Sequence, residues 1–170
     1  MRGMTILPAH TVETSTPAAS ASLAPLHVEY VRAATADLLA QANTLAVIGF
    51  GDTAQTSDDP RWLRVRLDAD GAAPLEVWRA AGPVTRGRDG DVAWASNGDY
   101  AFVALEVDEA THGGIADAAR HAYSTLAQWL RRSATAHFLR IWNYLDAIND
   151  GEGDAERYRL FCAGRAVGMD

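Results

Sequence analysis

A chain of 170 residues with a formal charge of -7 has no clustered excess of Lys and Arg with which to grip phosphates, which argues against nucleic acid and anionic lipid as partners. Its one cysteine, Cys162, rules out an internal disulfide and a zinc site built on repeated Cys ligands, and makes a reducing, cytoplasmic setting the default. One domain of this length buries a real core without such staples, and no apolar run approaches the roughly 18 residues that suggest a membrane span.

Residues 1–25, rich in Ala, Ser, Thr and Pro, read as a disordered leader, because their apolar stretch is too broken for a secretory signal. Met1 and Met4 both qualify as the start. The folded domain, 26–170, opens with LHVEYVRA, whose alternation is that of a half-buried strand. TLAVIGFGD is a short apolar run closed by Gly49 and Gly51, a buried strand leaving through a turn. WLRVRLD, PLEVWRA, DVAWAS and YAFVALEVD continue the strand pattern, separated by turns at DADGAA, GPVTRGRDG and NGD. Asn97-Gly98 is the best hairpin signal, since both residues tolerate positive φ.

After Asp108 the period changes. Ile115, Ala119, Ala122, Leu126, Trp129 and Leu130 recur at helical spacing, with Asp117 early and Arg131 and Arg132 late to suit the helix dipole. HFLRIWNYLDAI is then read as a strand, and a second helix is expected from near Asp154, which can cap it, to about Val167, weakened by Gly164. Antiparallel strands followed by helix, strand and helix indicate α+β, with helices on one face of a sheet.

Arg157, Phe161 and Arg165 fall at i, i+4 and i+8 on the second helix. Two guanidiniums beside an aromatic suit a planar ligand with two carboxylates, because each offers a rigid fork. The same spacing describes a solvated face paired with Asp154 and Glu156, and spacing alone favours that reading. Trp142 and Tyr144 should face one side of their strand and Asn143 the other. An unpaired buried amide costs about 1 to 3 kcal/mol, so Asn143 either holds a ligand or ties down a loop. Arg140 suits a paired, exposed position.

His112, before Gly113-Gly114 at a helix start, reads as part of a capping turn. His121 and His137 lack partners at metal spacing, so no metal is expected. Cys162 beside Phe161 reads as an apolar packing group. GFGD lacks the third glycine of a dinucleotide fingerprint and the lysine of a P-loop, so it reads as a turn. GRDGD is too short for a calcium loop. Core packing is the default for Trp62, Trp78, Trp94, Trp129 and Trp142.

Three segments together carry a family resemblance: LAVIGFG at Leu45 to Gly51, DVAWASNGDYAFVALEVDE at Asp91 to Glu109, and HFLRIWNYLDAINDGEGDAERYRLFCAGRAVGM at His137 to Met169. With them the chain resembles the N-terminal half of the chorismatase family, which includes the 3-hydroxybenzoate synthases and is also described as pteridine-dependent dioxygenase-like. The most specific motifs are RIWNYLDAIN and GDAERYRLFCAGRAVG. The resemblance implies a RidA/YjgF-like (chorismate mutase-like), mostly antiparallel sheet with two helices packed on one face. The final strand, after the second helix, is expected to be missing.

The resemblance further implies conversion of chorismate to pyruvate plus a hydroxybenzoate or a dihydroxy-cyclohexadiene carboxylate, without cofactor or metal. The chemistry begins with protonation of the vinyl ether, by a glutamate of the absent C-terminal half. Glu106, Glu109, Glu152 and Glu156 lie in no motif that matches that acid, so no catalytic residue is assigned. What carries over is a substrate-binding wall of Asn143, Tyr144, Arg157, Tyr158 and Arg165. The partners implied are chorismate and either the missing C-terminal domain or further copies of the chain, with little activity expected from one half alone. The alternative is a stand-alone RidA-like oligomeric module that binds a small carboxylate metabolite. A RidA-type imine deaminase ranks last, because its arginine-bearing late strand is absent.

Overall fold

The strand patterns of the first two thirds of the chain resolve into two sheets. The computed structural model describes residues 25–51, 55–67, 74–134 and 137–170. Apart from Pro25, the expected leader lies outside the described residues. The first sheet runs in the order β1-β4-β2-β3, built from β1 (Leu26–Val31), β2 (Thr44–Phe50), β3 (Trp62–Val65) and β4 (Leu75–Ala80). The second is an antiparallel meander of β5 (Thr85–Asp89), β6 (Val92–Ser96) and β7 (Ala101–Ala104).

Three features depart from the expected antiparallel order. β2 and β3 pair in parallel. A short helix, α1 (Thr35–Leu39), follows β1. β5 forms where a turn was expected: TRGRD is polar because its residues are mostly exposed, and register with β6 rather than propensity makes it a strand. Gly87 is required there, since a Cβ would stand 2.8 Å from the Trp94 ring. The Asn97-Gly98 turn does join β6 to β7, with Gly98 at φ 98° and the Asn97 side chain accepting from the amides of Asp99 and Tyr100.

One face of the first sheet is closed. Leu38 of α1 packs on Val47, Trp62 and Val77, all buried. Each such side chain contributes roughly 1.5 to 3 kcal/mol over exposure. Beside this core lies a fully enclosed arginine. Arg61 bonds Asp59 through Nε and Nη2 (2.9 and 2.8 Å) and donates to the carbonyls of Gln41, Thr44 and Leu39. By register, the opposite face carries Val28, Tyr30, Glu76, Trp78, Ala46 and Ile48.

The helical half follows. α2 (Ile115–Arg132) starts from Gly114, whose φ of 104° suits glycine, and buries Ala118, Ala119, Tyr123 and Trp129. The Trp129 indole donates to Asp89 at 3.0 Å, tying α2 to the second sheet. α3 (Arg157–Met169) lies against α2 so closely that a Cβ on Gly164 would sit 1.9 Å from the Ala116 carbonyl oxygen, and one on Gly168 2.6 Å from that of Arg120. Both contacts advance together along the chain, so the helices run in the same direction. Gly164, expected only to weaken the helix, is what permits this approach. α3 starts at Arg157 rather than near Asp154, which lies in a 3-10 turn and pairs with Arg159 at 3.0 Å instead of capping.

The segment expected as a strand before α3 is not one. Residues 137–146 bend at Leu139 and pair with no strand among the described residues. Side-chain propensity does not make a strand without a neighbouring backbone edge. The core default for tryptophan holds for Trp62 and Trp129, each 8 % exposed, and fails for Trp142 in this segment, at 45 %.

Candidate functional site

The extended segment lies between the two halves of the fold. Ile141 and Leu145 pack on the buried cluster of Ala119, Tyr123 and Phe161. Trp142 meets Trp78 edge-on at 5.1 Å, and Tyr144 meets Phe50 at 5.9 Å. Alternate side chains therefore point to helices and to sheet, as extended geometry requires.

The five expected wall residues divide accordingly. Asn143 accepts a 2.9 Å bond from the Tyr123 hydroxyl, so its carboxamide ties the segment to α2. Tyr144 turns to the sheet. Burial raises its phenol pKa above the ordinary value, and the nearby Glu76 carboxylate and Tyr30 add to the effect. Arg157 opens α3 and is held by Glu109 (2.9 and 3.0 Å) and by Asp146 (3.0 Å). Its hydrogen bond to Glu109 outweighs partial burial and keeps the guanidinium charged. The Arg157 Nε donor is buried without a partner among the described residues. Tyr158 stacks on Phe161 at 6.4 Å, and Arg165 stands over the same ring at 5.9 Å.

Arg157 and Tyr158 thus meet at one place, a shallow surface notch that they line with Ile115, Leu145, Asp146 and Ile148. Arg165, two turns further on and about 12 Å along the helix, lies beyond it. The notch is a surface dimple and encloses no space for a metabolite. The start of α3 offers little to an anion, because the amides of Arg157 and Tyr158 already donate to the carbonyls of Asp150 and Ile148. The loop that makes this possible is tight: Ala147 sits at φ 44°, in the left-handed region.

Sequence reasoning missed the carboxylates that hold Arg157, which lie 48 and 11 residues away. It also missed the Glu76 centre, where the Trp78 indole donates at 2.6 Å beside the directly paired Tyr30. The Tyr30 phenol pKa is raised by the Glu76 charge and by its hydrogen bond to that carboxylate. Spacing of two along β4 is the signal that could have found the Glu76 to Trp78 contact. Of the other glutamates, Glu106 pairs loosely with Arg66 at 3.5 Å and Glu156 with Arg159 at 3.5 Å. His112 lies in the turn before α2 and packs its ring on that of His121 at 4.5 Å. Among the described residues, no group of three or more His, Cys, Asp or Glu is placed to hold a metal, and no helix is long and apolar enough to cross a membrane.

Two sheets, with a pair of co-directional helices joined through an anchored segment, define an α+β fold with Arg157 at a surface notch. The family described as chorismatase FkbO/Hyg5-like, N-terminal, matches residues 76–170, from β4 through the whole helical half. The chain belongs to that family. It is 32 % identical over 158 residues to a chorismatase of Streptomyces hygroscopicus, covering 90 % of this chain and 45 % of that protein. It is 33 % identical over 110 residues to a 3-hydroxybenzoate synthase of the same organism, covering 64 % and 32 %. A chorismatase crystal structure superposes with a TM-score of 0.69 at 29 % identity, over 85 % of this chain and 44 % of that one. The chain therefore spans less than half the length of each of these relatives.

Proposed function

We propose that the chain acts as the N-terminal half of a chorismatase-type enzyme that converts chorismate to pyruvate plus a hydroxybenzoate or a dihydroxy-cyclohexadiene carboxylate. The observation that carries this reading is the family match, which takes in α2, the extended segment and α3. In it, Arg157 and Tyr158 form the nearer part of a substrate wall, with Arg165 beyond them. Asn143 and Tyr144 hold the extended segment against helix and sheet. The C-terminal half brings the general acid and closes the site, in keeping with the shallowness of the notch on this half. The finer fold assignment is RidA/YjgF-like, supported by the co-directional helices on either side of one extended segment. The setting is cytoplasmic, in keeping with the single cysteine.

The test is chorismate consumption by the purified, folded chain, with pyruvate and hydroxybenzoates followed by chromatography. No turnover above the spontaneous rate is expected from the chain alone, and turnover is expected once it replaces the matched region of the Streptomyces hygroscopicus chorismatase. Rapid turnover by the chain alone would overturn the half-enzyme reading. A folded hybrid without activity would favour the second reading, an oligomeric module that binds a small carboxylate. That reading draws on the large apolar side chains exposed at Leu139, Trp142 and Val167.

A further inference from the structure

His112 and His121 come from different elements, the turn before α2 and the second turn of α2 itself, yet their rings lie 4.5 Å apart between centres at a tilt of 35°. His112 is half-buried and His121 exposed. The tautomer of His112 is set by its neighbours. Its Nδ1 lies 3.0 Å from the Asp108 carbonyl oxygen, and the Thr111 hydroxyl, 2.9 Å from the same nitrogen, donates to that carbonyl at 2.8 Å. A carbonyl only accepts, so the hydrogen of the neutral ring stands on Nδ1 and the lone pair on Nε2. That is the arrangement of metal-ligating histidines, whose second nitrogen donates to a backbone carbonyl or a carboxylate. The exposed His121 ring can turn either nitrogen toward its neighbour.

Two imidazoles so placed match a pair of adjacent ligands on one ion. Bonds of about 2.0 to 2.1 Å put each ring centre about 3.2 Å from the ion, so ligands at about 90 to 109° have centres about 4.5 to 5.2 Å apart. Neutral imidazole suits Zn2+, Ni2+ and Cu2+, whereas Mg2+ and Ca2+ take oxygen. Asp117, one turn before His121 on α2, is taken up by Arg120 at 2.8 Å, and no third side chain joins the pair among the described residues. We infer that His112 and His121 form a two-imidazole site for a borderline divalent transition metal ion, with water at its other positions. The sequence expectation of no metal rested on spacing along the chain, and this pair is made by folding. The turn that carries His112 also carries Glu109, the partner of Arg157, so an ion there braces the turn that positions the start of α3. Neither histidine belongs to the substrate wall, and the inference stands apart from the half-enzyme reading.

Titration of ZnCl2 into the tag-free 170-residue chain, read by calorimetry, tests the site. One ion per chain should bind, and His112→Ala and His121→Ala should each weaken binding by at least about 10-fold, the lower end of what loss of even a supporting group costs a metal site. His27→Ala and His137→Ala should leave it unchanged. A paramagnetic probe locates the ion without any variant: substoichiometric Cu2+ should broaden the imidazole NMR signals of His112 and His121 ahead of those of His10, His27 and His137. Absence of Zn2+ binding, or binding that both single variants retain, would overturn the inference, as would broadening that starts at another histidine. None of these readouts involves chorismate, so failure of the activity proposal and failure of this one are separable.

Discussion

Arg61 and Arg157 are both arginines held by carboxylates, and they differ in closure. The Arg61 side chain is 2 % exposed, and Nε, Nη1 and Nη2 all donate, to Asp59 and to three carbonyls drawn from α1, the turn after it and the first residue of β2. The Arg157 side chain is 21 % exposed, one of its carboxylate partners, Asp146, is 82 % exposed, and its Nε donor has no partner among the described residues. A closed arginine organises a fold, because every donor it has is already directed inward. Arg157, at the rim of a notch, is partly open to solvent, and so are the carboxylates that hold it. The same side-chain chemistry is enclosed in one half of the molecule and partly solvated in the other.

The largest effect should come from breaking the closed centre. Arg61→Ala takes the guanidinium from three carbonyls and from Asp59, which keeps only a backbone amide and Arg86, a change that costs about 3 to 5 kcal/mol when one member of a buried pair is removed. Urea unfolding followed by tryptophan fluorescence should show a large drop in midpoint or loss of the cooperative transition. A drop under 1 kcal/mol would mean that the centre is not closed. Next in size is Gly164→Ala, which places a methyl 1.9 Å from the Ala116 carbonyl and must push α3 off α2. Overpacking of this kind costs about 1 to 3 kcal/mol. Because Arg157 opens the same helix, this variant should also disturb the open centre, while Arg157→Gln should leave the helix contact intact.

Acid loosens the closed centre more gently. Burial pushes the Asp59 carboxyl pKa up, but the hydrogen bonds from Arg61 and the charges of Arg61 and Arg86 outweigh it and hold the pKa below the usual 3.8. A depressed folded pKa means stability that is present above the unfolded value and lost as pH falls through the folded one. Unfolding free energy should therefore decline below about pH 4, the ordinary carboxylate range, with a contribution that disappears in Asp59→Asn. An unchanged acid limb in that variant would remove Asp59 from the account.

What was legible in the sequence follows the range of the interactions involved. β1, β2, β4, β6, α2 and the Asn97-Gly98 turn are written in patterns of two to four residues, and each stands where the pattern put it. β5 was not legible, because a polar edge strand is defined by its pairing with β6 and not by its own composition. The parallel β2 to β3 pairing is likewise a fact about two segments. The segment before α3 misled in the opposite direction: 137–148 has strand composition and no strand partner among the described residues. Arg157 and Tyr158 could be placed together from helix position alone, but Glu109 and Asp146 could not be attached to them from sequence. Gly164 and Gly168, four apart, were a readable sign of close helix packing, but only Gly164 was read, and as a weakness.

The smallest expected effect is the one that defines the open centre. Arg157→Gln removes ion pairs to Glu109 and Asp146 at 2.9 and 3.0 Å, but both carboxylates reach solvent, at 39 % and 82 % exposure, and can hydrate when the guanidinium is gone. Exposed pairs are worth about 0 to 1 kcal/mol, so the unfolding midpoint should move by no more than that, and less at high salt. If the same substitution in the hybrid chorismatase leaves the fold untouched while weakening use of chorismate, Arg157 is held in reserve for a ligand carboxylate. A stability loss as large as that of Arg61→Ala would instead make the two centres alike and take Arg157 out of the substrate wall.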